Sequence, residues 1–193
     1  MSRTPKSLST SDVRREAVIA SAITVFARTG YLGTSVATIA QDAKISQAYV
    51  FKLFPSKELL FVTALERCFE LVLNAMRTAA DSSADHTPEA MLEAMGQAYA
   101  ELIADRALLM LQVHAQSAAS VPEIGAALRN GLRDVTLFVK SRSKAPDLAV
   151  QQFIAYGLLC HLIVVADLDQ DGADWARIIA AGISHPDYSS PLT

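Results

Sequence analysis

The 193-residue sequence has only two cysteines, Cys68 and Cys160, which lie far apart and each within an apolar stretch. Two such cysteines provide neither a disulfide framework nor a set of metal ligands. We expect two buried thiols in a reducing compartment. The sequence is also poor in glycine and proline, with eight and seven residues, whereas alanine, leucine and glutamate are common. This composition favours helix.

Signals for secretion or membrane insertion are weak. The longest apolar run, from Phe153 to Ala166, is interrupted by His161 and is shorter than the ~20 residues that a membrane-spanning helix needs. Residues 1–16 are polar and basic and contain no apolar segment of the kind found in a signal peptide. We therefore expect a cytoplasmic protein. Hydrophobic residues make up 51% of the chain, which allows extra burial in a subunit interface or a ligand cavity.

Catalytic and metal-binding motifs are lacking as well. A di-iron helical bundle needs Glu-x-x-His pairs, but no glutamate stands three positions before His86, His114 or His161. We predict that the protein is not an enzyme and has no cofactor. The acidic segment from Asp167 to Ile178 matches the first half of an EF-hand calcium loop, but its twelfth position is Ile178 instead of glutamate. We interpret it as a turn between helices, with weak cation binding as the alternative.

Charge is distributed unevenly along the chain. Residues 1–60 contain eight basic and four acidic residues, a net charge of +4, whereas the rest contains nine basic and sixteen acidic residues, a net charge of −7. A basic N-terminal part favours contact with a polyanion such as nucleic acid. The alternative is a chance distribution of solvated charges.

Apolar periodicity predicts an all-helical chain of about nine helices, with no alternating strand pattern. Capping residues mark several starts: Thr34, Ser46, Ser56 and Thr87, and Ser120 within an S-x-x-E capping box. Gly30 is expected to end the first helix in a left-handed conformation. The predicted helices cover residues 12–28, two turns after residue 34, 47–54, 56–80, 88–105, 107–119, 120–141, 146–168 and 173–183.

Two short helices joined by a tight turn at residues 44–45 have the pattern of a helix-turn-helix. In this motif the second helix, here Gln47–Phe54, enters the major groove of DNA. Val50 and Phe54 stand at i and i+4, so we expect them to pack inward. The alternative is a small three-helix cap in which all of these side chains serve packing.

The outward side chains of the second helix are the candidate DNA contacts. Glutamine pairs with adenine, alanine touches the thymine methyl group, and tyrosine and lysine reach bases or phosphates. The preceding helix offers free N–H groups at its N-terminus, where phosphate binds. The predicted DNA contacts are Thr34, Ser35, Lys44, Gln47, Ala48, Tyr49, Lys52 and Lys57.

The apolar helices of the C-terminal part contain polar and large side chains that are candidates for a ligand cavity. Such cavities are mostly apolar with a few polar groups in fixed positions. Ordinary core packing is the alternative for each residue. The candidate ligand contacts are Tyr99, Met110, His114, Phe138, Phe153, Tyr156 and His161, and Gln116 is a further polar candidate for lining the cavity.

The stretch FARTGYLGTSVATIAQDAKISQAYVFKLFPSKELLF resembles the TetR family of bacterial transcription regulators, a resemblance that covers about residues 12–62. It implies a helix-turn-helix DNA-binding domain, a ligand cavity in the body and a homodimer in which the last two long helices of each subunit form a four-helix interface. We expect a tail over residues 1–11, the DNA-binding domain over 12–55, a ligand-binding and dimerisation domain over 56–185, and a tail over 186–193. The matching positions are Phe26, Gly30, Tyr31, Thr34, Ile39, Ala40, Ala43, Ser46, Phe54 and Lys57.

Three positions depart from the family pattern. Lys44 stands where glycine is usual, and a left-handed backbone there would cost lysine about 1–2 kcal/mol. Phe51 replaces a tyrosine, which removes a hydroxyl group that would contact the DNA backbone. Leu53 stands where tyrosine or histidine is common.

The resemblance implies a sequence-specific transcriptional regulator. We expect a repressor that a small-molecule ligand releases from a near-palindromic operator in double-stranded DNA. An activator is left open. The alternative from another class is a helical dimer that binds a small molecule or a protein and carries a weakened DNA-binding head.

Overall fold

The computed structural model describes residues 10–168 and 170–183. Within these ranges the chain forms nine α-helices and no β-strand, which confirms the all-helical prediction. Residues 1–9 and 186–193 of the two predicted tails lie outside the described residues. The helices are α1 Thr10–Gly33, α2 Val36–Asp42, α3 Gln47–Leu53, α4 Lys57–Ser82, α5 Pro88–Leu102, α6 Arg106–Ser117, α7 Pro122–Ser143, α8 Asp147–Val165 and α9 Asp174–Ala180.

Three predicted helix starts are confirmed by side-chain caps. The Ser46 hydroxyl accepts a hydrogen bond from the N–H of Tyr49 at 3.2 Å, and the Ser56 hydroxyl accepts one from Leu59 at 3.1 Å. Thr87 caps α5 in the same way. Each cap satisfies an N–H group that the first turn of a helix leaves unpaired.

Two predicted caps are wrong. Ser35 instead of Thr34 caps α2, and its hydroxyl accepts from the N–H of Thr38 at 3.1 Å. The capping box at Ser120 does not form, because α7 begins at Pro122 and the preceding Val121 is its N-cap. Proline fits the first position of a helix, where its missing N–H costs nothing.

The first helix runs further than predicted and bends near its end. Gly30 has φ 70° and ψ 177°, so the predicted positive φ is confirmed, although the backbone is extended there and not left-handed helical. The His114 ring packs against Gly30, where a Cβ atom would lie 2.9 Å from Nδ1. Glycine thus allows both the bend and the close approach of α6.

The long helix α4 organises the packing. It contacts α1, α5, α6 and α7, and α1 also packs along α6. The rings of Phe26 in α1 and Phe61 in α4 meet edge to face, with 4.8 Å between their centroids. The three N-terminal helices and the body therefore share one continuous apolar core.

The helix α8 is unusually apolar and mostly uncovered. By length and composition alone, Asp147–Val165 is long and apolar enough to span a membrane. Only 28% of this helix is buried. Its neighbour α9 adds further exposed apolar side chains. The large exposed side chains on the two helices are Leu148, Tyr156, Leu158, Leu162, Val165, Trp175 and Ile178.

The first part of the acidic segment that resembles half of a calcium loop, residues 167–173, connects α8 and α9 as predicted, and the rest of the segment belongs to α9. Asp169 falls outside the described residues. The Asp171 carboxylate accepts a hydrogen bond from the N–H of Ala173 at 3.0 Å, just before α9 begins. Asp167 lies 3.5 Å from the guanidinium of Arg106. Both carboxylates therefore have partners within the protein.

Candidate DNA interface and ligand cavity

The helix α3 has one buried face and one open face. Val50 and Phe54, the latter just after the helix, are buried, as their spacing predicted. Tyr49 is half-buried, and the other predicted contacts on this helix, Gln47, Ala48 and Lys52, are exposed. The polar side chains are thus available to a groove while the apolar ones fix the helix to the core.

An arginine from α1 holds the end of α3. The Arg15 guanidinium donates a hydrogen bond to the carbonyl of Leu53 at 3.0 Å and lies 4.3 Å from the centre of the Phe54 ring. The last carbonyls of a helix lack intrahelical partners and carry partial negative charge. The bond and the cation–π contact therefore fix α3 relative to α1.

A second arginine joins the open face of α3. The Arg14 guanidinium lies 5.5 Å from the centre of the Tyr49 ring, and the Lys52 ammonium lies 6.0 Å from it. We call Arg14, Tyr49 and Lys52 the Tyr49 cluster. Two cations beside an aromatic ring can contact phosphates while the ring approaches a base. The predicted contacts omit Arg14, although the basic charge of residues 1–60 includes it.

The turn between α2 and α3 has the left-handed residue that the sequence placed there. Lys44 has φ 55°. Its N–H donates to the carbonyl of Gln41 at 3.1 Å, and the N–H of Ile45 donates to Ala40 at 3.0 Å. These two bonds form a Schellman motif, which normally has glycine at the left-handed position. The Lys44 side chain is exposed, and Lys44 comes shortly before α3 in the sequence.

Lys57 and Thr34, two of the predicted phosphate contacts, also build the turn between α1 and α2. The Lys57 ammonium donates to the carbonyls of Tyr31 at 2.8 Å and Thr34 at 3.2 Å. Thr34 is only 4% exposed, and its hydroxyl lies 2.6 Å from that of Thr29. Ser35 is exposed at the start of α2. The DNA contacts of these residues stay predictions.

A buried tyrosine links the same turn to α4. The Tyr31 hydroxyl donates a hydrogen bond to the Glu58 carboxylate. Burial, reinforced by that carboxylate, raises the pKa of Tyr31 to about 12. The same bond holds the pKa of Glu58 below its usual range. This hydrogen bond therefore fixes the turn between α1 and α2 to the start of α4.

A cavity of about 600 Å³ lies in the body, bordered by side chains of α4, α5, α6, α7 and α8. Its size is within the range of small-molecule sites. Most of its walls are apolar. The predicted ligand contacts that line it are Tyr99, Phe153, Tyr156 and His161.

The other three predicted ligand contacts lie outside this cavity. His114 points to α1, where its Nε2 lies 3.2 Å from the carbonyl oxygen of Ala27. The Phe138 ring lies beneath the Arg77 guanidinium, 5.6 Å from its centre. Met110 packs against the main core. Each side chain meets a different face of the bundle, which helical spacing alone does not distinguish.

The polar end of the cavity is a chain of hydrogen bonds. His161 Nε2 lies 2.7 Å from the Tyr99 hydroxyl, and Gln116 Nε2 lies 3.3 Å from His161 Nδ1. The Tyr99 hydroxyl donates to Gln112 Oε1 at 3.5 Å, and the Gln112 amide donates to the carbonyl of Leu108 at 3.2 Å. Burial lowers the pKa of His161 to about 4, so its ring is neutral near pH 7.

Of the two glutamines, Gln116 is a candidate from the sequence, whereas Gln112 is absent from the predicted ligand contacts. Gln112 is buried and Gln116 exposed, and they stand one helical turn apart on an otherwise apolar helix. Polar residues at i and i+4 share one helix face. That spacing is the signal that could have identified Gln112.

The short helices α2 and α3 are joined by a tight turn, and α3 is capped by Ser46 and has an exposed face. This arrangement is that of a helix-turn-helix DNA-binding domain. Residues 18–64 match the family of bacterial regulatory proteins, tetR family. This segment is therefore similar to the DNA-binding domain of TetR-family transcription regulators. The predicted resemblance is thus confirmed for the N-terminal part of the chain.

Two curated relatives are helix-turn-helix transcriptional regulators from Bacillus subtilis strain 168. The uncharacterized regulator YuxN is 37% identical over 73 residues, which cover 36% of this chain and 25% of YuxN. The uncharacterized regulator YerO is 29% identical over 80 residues, which cover 42% of this chain and 28% of YerO. The matches thus span only about a quarter of the length of these relatives.

Solved structures share the fold over nearly the whole chain. A TetR-family regulator from Agrobacterium tumefaciens superposes with a TM-score of 0.70 at 18% identity, covering 91% of this chain and 95% of the other. The regulator FadR from Bacillus subtilis, in complex with stearoyl-CoA, gives a TM-score of 0.67 at 17% identity, covering 85% and 92%. At these identities the likeness concerns the fold.

Proposed function

We propose that the whole protein is a TetR-family regulator, a cytoplasmic homodimeric repressor that a small-molecule ligand releases from a near-palindromic operator. The observation that carries the DNA-binding part is the Tyr49 cluster. It lies on the open face of α3, whose other face is buried through Val50 and Phe54 and held by Arg15. A helix fixed in this way presents Gln47 to Lys52 to the major groove.

The proposed dimer forms through α8 and α9. Large apolar side chains on both helices are exposed in the single chain, with Leu162 at 53% and Ile178 at 75%. An apolar surface of this kind typically marks an interface. A second copy of the chain matches this surface by two-fold symmetry. Two copies of α3 would then meet half-sites about 34–36 Å apart.

The proposed ligand site is the cavity, because α6 connects it to the DNA-binding unit. Gln112 and Gln116 of α6 face the cavity, whereas His114 of the same helix contacts Ala27 and Gly30 in α1. A ligand that binds better when α6 and the long lever α4 are shifted would favour the wrong spacing of the two DNA-binding units. The stearoyl-CoA bound to FadR supports a small-molecule site in this fold.

Selection of DNA from a random duplex pool at physiological salt tests this function, with wild type and Tyr49→Ala in parallel. We expect wild type to enrich a near-palindrome that the variant does not select. A lost base contact costs about 1–3 kcal/mol at each half-site. The dimer and its melting temperature serve as the control, and we expect the variant to retain both.

Two results would contradict the proposal. Enrichment of the same operator by the Tyr49→Ala variant would show that Tyr49 does not contribute to recognition of the DNA sequence. No enrichment by wild type, or binding that simply vanishes with salt, would show only the contact of charges with the DNA backbone. A helical dimer with a weakened DNA-binding head would then be the better account.

A further inference from the structure

The walls of the cavity allow an inference about the chemistry of its ligand, which rests on the proposed role of the cavity as the effector site. The deep walls are apolar and include Phe69, Val72, Met76 and Phe153. Such walls favour a ligand whose surface is mostly hydrocarbon, because burial of apolar surface away from water is favourable.

The described residues that line the cavity include almost no charged side chains. Among the described residues that line it, none is lysine or arginine, and the one charged residue is Glu93. Glu93 is exposed, so it lies towards the solvent and not at the deep end. A carboxylate or phosphate inside the cavity would lose its water without gaining a cation. A buried ion without a partner is strongly unfavourable.

The polar groups at one end of the cavity, from the exposed Gln116 to the buried Gln112, are neutral, and their hydrogen bonds run in one direction. The Gln116 amide nitrogen can only donate, so His161 Nδ1 accepts and His161 Nε2 carries the proton. Nε2 then donates to the Tyr99 oxygen, and the Tyr99 hydroxyl donates to Gln112. The lowered pKa of His161 agrees with this arrangement. These hydrogen-bonded side chains thus carry no net charge, and their hydroxyl and amide groups suit a neutral polar group of a ligand.

We propose that the ligand is an uncharged, mostly apolar molecule in which one hydroxyl group binds at the Tyr99–His161 pair by donating a hydrogen bond to the Tyr99 oxygen. The apolar part lies against the deep walls on α4, α7 and α8. Anionic ligands are disfavoured because no cation is present among the described lining residues. Cationic ligands are disfavoured because the described residues at the polar end include no carboxylate.

Three ten-carbon probes test this inference: 1-decanol, decanoate and decylammonium. They share one alkyl chain and differ in the charge of the head group. Calorimetric titration of each into the full-length protein at neutral pH measures the three affinities. We expect decanol to bind at least roughly tenfold more tightly than either charged probe, since the cavity cannot pair a buried ion.

A pair of tyrosine variants identifies the polar contact. We expect Tyr99→Phe to weaken decanol binding roughly three- to tenfold, as for the loss of one hydrogen bond. Tyr31→Phe is the matched control, because it also removes one tyrosine hydroxyl, which bonds Glu58 and lies outside the cavity lining. It should leave decanol binding unchanged. The comparison of the three probes on wild type needs no variant and decides the question even if Tyr99→Phe folds poorly.

Two results would overturn the inference: a charged probe that binds as tightly as decanol, or no binding of decanol. Release of the selected operator, measured with the same probes, is a separate test of the proposed function. Decanol that binds without releasing DNA supports the inferred ligand chemistry and contradicts the role of the cavity in regulation. A charged probe that releases DNA when decanol does not bind overturns the ligand chemistry and leaves the regulatory role intact.

Discussion

Replacing Lys44 by glycine separates backbone strain from DNA contact at one position. Lys44 lies in the turn after α2 with φ 55°, a conformation that costs a non-glycine residue about 1–2 kcal/mol. Glycine removes this cost but adds about 0.5–1 kcal/mol of chain entropy to be lost on folding. We therefore expect Lys44→Gly to raise the free energy of unfolding by about 0.5–1 kcal/mol.

The same substitution should weaken DNA binding if the Lys44 ammonium contacts a phosphate. Each such contact adds about 0.9 to the slope of log affinity against log salt concentration. A dimer has two copies of Lys44. We expect the slope to become shallower by about 2 and the affinity at low salt to fall.

Lys144 provides the matched control within the same chain. It has φ 57° at the end of α7, is exposed and lies in the body, away from α3. Lys144→Gly should raise stability by a similar amount and leave DNA affinity and its salt slope unchanged. Urea unfolding and titration of the selected duplex at several salt concentrations measure both effects. A Lys44→Gly protein that is less stable than wild type, or one with an unaltered salt slope, would refute the reasoning.

Three further substitutions test the packing, the buried histidine and the proposed dimer. Gly131→Ala should lower the free energy of unfolding by about 1–3 kcal/mol, because a Cβ there would lie 2.1 Å from the Phe69 ring. Wild type should lose about 2 kcal/mol of stability between about pH 7 and pH 5, because unfolded His161 binds a proton that the folded form, with its pKa near 4, does not. His161→Gln should lack this loss in urea unfolding. Leu162→Glu should give a monomer in sedimentation and shift the emission of the single tryptophan, Trp175, to longer wavelength.

Each of these tests has a control. Gly172→Ala should be neutral, because a Cβ there meets nothing within 4 Å, and equal stability of the two alanine variants would contradict the contact with Phe69. A His161→Gln protein that still loses stability over the same pH range would assign the titration to another group. Leu32→Glu, on an exposed leucine far from α8 in sequence, should remain dimeric. A dimeric Leu162→Glu protein would place the interface elsewhere.

The fold could be predicted because its signals are local. Caps at Ser46 and Ser56 and the spacing of Val50 and Phe54 depend on residues within one or two turns. The errors arose where two local signals compete. The Thr34 hydroxyl bonds Thr29 and leaves the cap to Ser35, and the proline after Val121 fixes the start of α7 beyond Ser120.

The cavity could be predicted only in part because its lining depends on packing between distant helices. His114 and His161 both occupy apolar helices, and the sequence gives no reason to separate them. In the folded chain His114 meets α1, whereas His161 meets Tyr99 of α5, which lies 62 positions earlier. The Tyr49 cluster has the same character, since Arg14 reaches α3 from another helix.

The specificity ratio for DNA tests the central claim most directly. It compares the dissociation constant for a duplex containing the selected near-palindrome with that for a shuffled duplex of the same composition, at physiological salt. Sequence recognition by α3 predicts that the selected duplex binds about 10³-fold or more tightly than the shuffled one. A ratio near one would mean that the chain senses only the charge of DNA, and would contradict its role as a sequence-specific regulator.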